Sequence, residues 1–170
     1  MTWGSGTFWK LVDQSSYTLT RYDRELRPGV DQVAGFAALP QAAGTVDMVV
    51  FDPPYKLTGT PQGEDRYRNQ SGGWKSVEGY YRSGMAEAAR VLRKDGILVV
   101  KGMDQVAGGK QRWYHRLVFD LGVDLGMEPM DHIIVVRQAR PQPPGRRQVH
   151  AHRNHSWFWV LRKDGESATR

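Results

Sequence analysis

A run of apolar residues ends abruptly on an acid and two prolines in the segment TVDMVVFDPPY, residues 45–55. Its β-branched and aromatic letters VVF predict the end of a strand buried in a sheet. Pro53 and Pro54 cannot extend the strand, because neither has an N–H group to donate to a neighbouring strand. The segment is therefore either a strand closed by a stiff turn, with Asp52 as a polar terminator, or a rigid platform that holds a carboxylate, a backbone carbonyl and an aromatic ring at one point.

Strands and helices alternate along the rest of the chain. The apolar runs ILVVK (97–101), DHIIVVR (131–137) and SWFWVLRK (156–163) predict further strands. Apolar residues recur at three- and four-residue spacing in 74–94, which predicts a helix, and a second helix is predicted over 111–122. This alternation indicates an α/β sheet that is mostly parallel. The last two strands are joined without a clear helix, which predicts an antiparallel hairpin at one edge.

Two shorter elements are predicted nearer the start of the chain. YTLTRYD (17–23) alternates like a strand that ends in an acid, and VDQVAGFAALP (30–40) is typical of a strand end and a short helix. In open α/β sheets, ligands bind beyond the carboxyl ends of the strands. Four charged side chains are predicted at such ends, namely Asp23, Asp31, Asp52 and Lys101.

Positive charge is concentrated in one part of the sequence. The net charge is +6, and no acidic residue occurs between His132 and Lys163, a stretch with seven basic residues. A surface of one sign attracts polyanions, of which nucleic acid is the usual one. The alternative is a solvated surface or a flexible arm.

A length of 170 residues predicts a single domain, 1–170, with two substrate-facing loops at 56–73 and 138–153. The absence of cysteine excludes disulfides and thiolate metal sites, and the start of the chain lacks the pattern of a secretory signal. No apolar run approaches the roughly 20 residues that cross a bilayer. A cytoplasmic location and no membrane partner are therefore expected. His150, His152 and His155 have arginines around them and no acidic neighbour, so no metal site is predicted.

The motif DPPY at 52–55 resembles the catalytic motif of the DNA amino-methyltransferases, which use S-adenosylmethionine to methylate adenine N6 or cytosine N4. Other segments resemble this family in a matching order. TWGSGTFWK (2–10) is similar to its Gly-rich cofactor loop, AEAARVLRKDGILVVKGMDQ (86–105) to its helix, Gly turn and strand, and HAHRNHSWFWVLRK (150–163) to its closing strand. The resemblance implies a Rossmann-like class I methyltransferase fold and S-adenosylmethionine as the cofactor.

The resemblance also implies three sets of site residues. The catalytic set is Asp52, Pro53, Pro54 and Tyr55. The cofactor-binding set is Thr2, Gly4, Gly6, Phe8, Asp23, Asp31 and Lys101. The nucleic-acid-binding set is Arg66, Arg68, Arg140, Arg146, Arg147, Arg153, Asn154 and His155. Asp23 lies 19 residues after Gly4, an interval that suits the acid that holds the cofactor ribose, although Gly4 and Gly6 could also be a flexible start and a single aspartate is often a strand cap.

One departure from the family concerns the start of the fold. The family usually has a buried strand immediately before the Gly loop, and here only Met1 and Thr2 precede Trp3. The strand is therefore missing from this sequence, dispensable, or supplied by a second copy or a partner chain. The function expected is site-specific methylation of adenine N6 in a base flipped out of double-stranded DNA, by an enzyme of prokaryotic or phage type. The alternatives are cytosine N4, an RNA substrate, or a catalytically silent nucleic-acid-binding subunit or fragment.

Overall fold

The structure is a computed structural model that describes residues 13–55, 73–136, 149–151 and 154–164. After a short 3-10 turn at Gln14–Ser16, the elements in chain order are β1 (Tyr22–Asp23), β2 (Gln32–Val33), β3 (Val46–Phe51), α1 (Gly73–Val91), β4 (Leu92–Gly102), β5 (Gln105–Ala107), β6 (Lys110–Arg112), α2 (Tyr114–Asp124), β7 (Met127–Val136) and β8 (His155–Lys163). The predicted alternation of strands and helices is confirmed. No helix in the described part of the chain is long and apolar enough to cross a membrane.

The central sheet has the strand order β3-β4-β8-β7. β3 and β4 are parallel, whereas β8 is antiparallel to both of its neighbours, so β7 runs in the same direction as β3 and β4. The predicted antiparallel hairpin is therefore confirmed, with β7 as the edge strand, whereas the sheet is mixed and not mostly parallel, since of its described pairings only β3–β4 is parallel. The short strands β1 and β2 form a separate parallel pair, and β5 and β6 form an antiparallel hairpin.

Both described helices pack against the central sheet. The predicted apolar face of α1 is confirmed, since Tyr81, Met85 and Ala88 are all buried. On α2, Gly122 lies against the side chain of Leu161 on β8. Burying these aliphatic and aromatic side chains supplies most of the free energy that holds helix and sheet together.

Three predicted boundaries are wrong. α1 ends at Val91 and not at 94, because β4 begins directly at Leu92, with an exposed and irregular stretch at 93–95 in which Asp95 has a φ of 60°. β1 contains two residues where a seven-residue strand was predicted, and residues 34–42 form turns where a helix was predicted. Side chains of α1 form the hydrogen bonds that a helix in this segment would otherwise supply. The Leu39 N–H donates to the Glu87 carboxylate (2.6 Å), and Arg90 donates to the Leu39 carbonyl.

Two glycines of α1 offer a matched test of the packing. A Cβ atom at Gly84 would overlap the Phe51 ring on β3, whereas a Cβ at the exposed Gly79 would meet no atom within 4 Å. We expect Gly84→Ala to lower the free energy of unfolding by about 1–3 kcal/mol through overpacking. Gly79→Ala is expected to raise it by up to about 1 kcal/mol, because alanine favours the helix. Urea denaturation of both variants measures this, and equal effects would contradict the packing of α1 on β3.

Candidate active site

The DPPY motif lies at the carboxyl end of β3. Phe51, the last residue of the strand, is buried among core side chains, and Asp52 follows it with 27% of its side chain exposed. Pro53 is buried and Pro54 half-buried, so the turn is fixed by packing as well as by its two proline rings. The structure therefore has the features of the rigid platform and not only those of a strand terminator.

Lys101 lies beside Asp52 because β3 and β4 run in parallel. Phe51 pairs with Val100, so the next residue of each strand reaches the same edge of the sheet. The Lys101 Nζ atom is 2.7 Å from Asp52 Oδ2 and 5.9 Å from the centre of the Tyr55 ring. The sequence predicted Lys101 as a cofactor ligand, and the structure gives its ammonium a direct contact with the catalytic set.

The environment of Lys101 favours its charged form. Burial alone would lower the pKa of this ammonium, but the charge of Asp52 and the contacts with Asp52 and Tyr55 outweigh burial, so the pKa lies above its ordinary value. Only 19% of the lysine side chain is exposed. An ion pair with this little solvent around it is screened less than a surface pair, and it fixes the direction of the Asp52 carboxylate.

Tyr55 is held at two points. Its backbone carbonyl accepts a hydrogen bond from the buried side-chain amide of Gln105, which lies just beyond β4 in the chain. Its ring belongs to the hydrophobic core cluster and only 8% of the residue is exposed. In this structure the ring therefore offers little surface on which a base could stack.

Tyr81 lies beneath the site on α1. It is fully buried, and its hydroxyl is 3.4 Å from the Lys101 carbonyl. Burial, together with the negative charge of Asp52, raises the pKa of the Tyr81 phenol well above its ordinary value. The phenol therefore stays neutral and acts as a packing and hydrogen-bonding group. Gly102 makes room for it, since a Cβ there would overlap the Tyr81 hydroxyl and the Trp157 ring.

A second polar cluster, which sequence reasoning missed, lies close to β4 in the chain. Asp104 is buried, and its Oδ1 atom accepts hydrogen bonds from the His115 backbone N–H (3.0 Å) and from Trp157 Nε1 (3.3 Å). Its Oδ2 atom is 2.5 Å from His115 Nδ1. The only sequence signal was a charged residue in KGMDQ directly after a buried strand.

This cluster joins three elements, so its loss should be costly. Asp104→Ala would leave the buried donors on His115 and Trp157 without their acceptor, which typically costs about 1–3 kcal/mol for each such group. We expect a clear fall in the midpoint of thermal unfolding. The matched control is Asp120→Ala, because Asp120 pairs with Arg116 on the exposed side of α2. Comparable losses in the two variants would contradict a structural role for the Asp104 cluster.

The two remaining acidic candidates lie on the short strand pair. Asp23 is the last residue of β1, as predicted, and its Oδ1 atom accepts a hydrogen bond from the Glu25 N–H (3.2 Å). Asp31 precedes β2, so the prediction that it ends a strand is wrong. Its carboxylate binds Arg21 through the backbone N–H and two guanidinium nitrogens at 2.7–2.9 Å. These hydrogen bonds hold the pKa of Asp31 below its ordinary value.

Asn154 and His155 reach the same edge of the sheet as Asp52. β8 is antiparallel to β4, and the pairing of Trp157 with Gly102 places the start of β8 at the carboxyl end of β4. The other predicted site residues lie outside the described residues, and they are Thr2, Gly4, Gly6, Phe8, Arg66, Arg68, Arg140, Arg146, Arg147 and Arg153. The loops predicted at 56–73 and 138–153 also lie there, apart from Gly73 and residues 149–151.

Solved structures share this fold. A methyltransferase from Methanosarcina mazei, described as dependent on S-adenosylmethionine, is 13% identical with a TM-score of 0.60, and the match covers 97% of this chain and 91% of that one. TTHA0409 from Thermus thermophilus, named as a DNA modification methylase and solved with S-adenosyl-L-methionine, is 19% identical with a TM-score of 0.51 over 77% of this chain and 53% of that one. PvuII DNA methyltransferase, named as cytosine-N4-specific, is 14% identical with a TM-score of 0.53, and the match covers 72% of this chain and 44% of that one.

These similarities define the fold class of the chain. It has the Rossmann-like fold of class I methyltransferases, an α/β sheet with the DPPY segment at a strand end. The chain spans about half the length of the two DNA methylases that it matches. No family model matches the sequence, and no curated protein is significantly similar to it.

Proposed function

We propose that this chain is a DNA methyltransferase that transfers a methyl group from S-adenosylmethionine to adenine N6. The observation that carries the proposal is the position of Asp52 and Pro53 at the carboxyl end of a parallel strand, in a class I methyltransferase fold. This is the end of an α/β sheet at which ligands bind.

The target amine requires help because its lone pair is delocalised into the ring of the base. An amine that donates hydrogen bonds to the Asp52 carboxylate and the Pro53 carbonyl is drawn toward tetrahedral geometry, which frees the lone pair for attack. The two proline rings and the Lys101 ion pair fix these acceptors in advance. Little ordering is then left for the transition state, which lowers the barrier.

The described residues also fit the cofactor, although they include only part of its predicted site. Asp23 places a half-buried carboxylate at the end of β1, where it can accept hydrogen bonds from ribose hydroxyls. When bound, S-adenosylmethionine supplies an electrophilic methyl group on a sulfonium. Asp52 and Pro53 orient the amine for in-line attack, and the carboxylate can accept the amine proton once the methyl group has moved.

DNA is the proposed substrate because of the charge of the chain. The basic stretch between His132 and Lys163 continues into β8, whose first residues lie at the active-site edge. Such charge binds phosphates and makes affinity depend on salt. A base inside a duplex cannot reach a pocket at a strand end, so the target base must be flipped out. Aspartate as the first residue of the motif favours adenine over cytosine by resemblance to the family.

The proposal is tested by incubating the chain with S-adenosylmethionine labelled in its methyl group and with either unmethylated DNA or RNA. We expect label to enter DNA, and not RNA. Entry into RNA alone would favour the alternative substrate. Binding of DNA without transfer of label would favour a catalytically silent binding subunit.

A further inference from the structure

The β5–β6 hairpin projects from the active-site edge of the sheet. Gln105 pairs with Arg112, and the turn contains Gly108 and Gly109 with φ angles of 58° and 70°. Positive φ at both positions is the geometry of a tight two-residue hairpin turn, which glycine adopts without strain. A Cβ atom at either glycine would meet no atom within 4 Å, so the turn points away from the body of the protein.

The base of this hairpin is fixed to the catalytic motif. Gln105 is the first residue of β5, and its buried side chain donates to the Tyr55 carbonyl. Lys101, the partner of Asp52, lies four residues earlier in the chain. The hairpin therefore begins directly beside the catalytic residues, on the side from which a substrate must approach.

The returning strand of the hairpin exposes a positive charge and a large ring. Lys110 is exposed and forms no ion pair within the described residues. Trp113, directly after β6, is a large aromatic side chain that is 58% exposed. The centres of the Trp113 and His115 rings are 5.7 Å apart, and the two rings are nearly perpendicular. The Asp104 carboxylate holds His115 in place through its contact with Nδ1. The indole is thus supported on one side and open on the other.

The charge around this ring suits a polyanion. His150 Nε2 lies 3.0 Å from the Gly109 carbonyl, which joins a described part of the basic stretch to the hairpin turn. Asp104, the acid that contacts His115, is buried and engaged in its own cluster. An open aromatic face beside positive charge is the combination that binds nucleic acid by stacking and phosphate contacts.

We propose that the β5–β6 hairpin and Trp113 form a DNA-binding surface, in which Trp113 stacks on bases next to the target nucleotide and Lys110 contacts a phosphate. The inference rests on the proposed function, because a flipped base leaves neighbouring bases unstacked at this position. A ring that covers them offsets part of the cost of flipping.

The test measures binding of a short fluorescein-labelled DNA duplex by anisotropy over a range of salt concentrations. Trp113→Ala is expected to weaken binding by roughly 10-fold, the order of effect that loss of one base–aromatic stacking contact has. Trp113→Tyr is expected to restore most of the affinity. Lys110→Ala should weaken binding and reduce the salt dependence by about one ion. The matched control is Lys94→Ala, an exposed lysine at the opposite end of β4, which should change neither quantity.

Methyl transfer measured in parallel separates the two proposals. If the parent chain methylates DNA and the Trp113 and Lys110 variants bind as tightly as it does, with the same salt dependence, the hairpin surface is wrong and the proposed function stands. If the parent chain neither binds nor methylates DNA, both are wrong. Thermal unfolding of the variants checks that they are folded, and the tyrosine variant gives a readout that loss of folding would not mimic.

Discussion

Replacing Asp52 with alanine is expected to lower kcat for methyl transfer to DNA by about 100- to 1,000-fold, the usual effect of removing one preorganised polar group from a reacting centre. The substitution removes the carboxylate that would accept a hydrogen bond from the target amine, and it also releases Lys101 from its 2.7 Å contact. DNA affinity should change little, because phosphate contacts supply most of it. Initial rates with labelled S-adenosylmethionine, alongside anisotropy with labelled DNA, measure the two quantities.

A second aspartate of the same strand provides the control. Asp47 lies near the amino end of β3, is 80% exposed, and pairs with Arg93 at 2.5 Å. Asp47→Ala therefore removes a carboxylate and an ion pair without touching the active-site edge, and it should keep nearly the full rate. Equal rates for Asp52→Ala and Asp47→Ala would remove Asp52 from the mechanism.

Replacing Lys101 with methionine is expected to lower kcat by about 10- to 100-fold, because Asp52 loses the partner that directs it and small misplacements in an active site are costly. The pH dependence should change as well. A cation next to a carboxylate favours the ionised form, so removing Lys101 should move the acid limb of the kcat/KM profile to higher pH. Lys101→Arg keeps the charge and should preserve the position of that limb.

The pH dependence of stability distinguishes this electrostatic effect of Lys101→Met on activity from a general loss of folding. The pKa of Lys101 is raised in the folded chain, so its pairing with Asp52 stabilises the fold across neutral pH and is lost on the alkaline side as pH rises through the raised value. Loss of the pair therefore gives a constant penalty across neutral pH and cannot itself shift an acid limb. Lys94→Met is the matched control, and an unchanged profile for Lys101→Met would contradict an electrostatic role.

The parts of the fold that sequence patterns predicted are those with strong local signals. The continuous VVF run of β3 and the three- and four-residue spacing of apolar residues around Tyr81 on α1 each indicate burial from the local sequence alone. The Asp52 motif was found for the same reason, since proline leaves an unmistakable stop in a strand. The helix predicted within residues 30–40 does not form. The Leu39 N–H of this segment donates to Glu87 on α1, a contact that no local sequence pattern indicates.

The contacts within the site were harder to predict. The pairing of Lys101 with Asp52 depends on which residues of β3 and β4 are opposite each other, and register is a property of the sheet. The hydrogen bond from Gln105 to Tyr55 and the cluster around Asp104 join residues distant in sequence. Polar residues at the ends of strands are common, so only the three-dimensional structure distinguishes these from ordinary surface groups.

The central claim is tested most directly by nucleoside mass spectrometry of unmethylated DNA after incubation with the chain and S-adenosylmethionine. We expect N6-methyladenine in the digest of DNA treated with the parent chain, and about 100- to 1,000-fold less after the same short incubation with Asp52→Ala. N4-methylcytosine would keep the chemistry of the site and contradict the choice of base. A digest without any methylated base, from a folded chain that binds both DNA and S-adenosylmethionine, would contradict the proposed reaction itself.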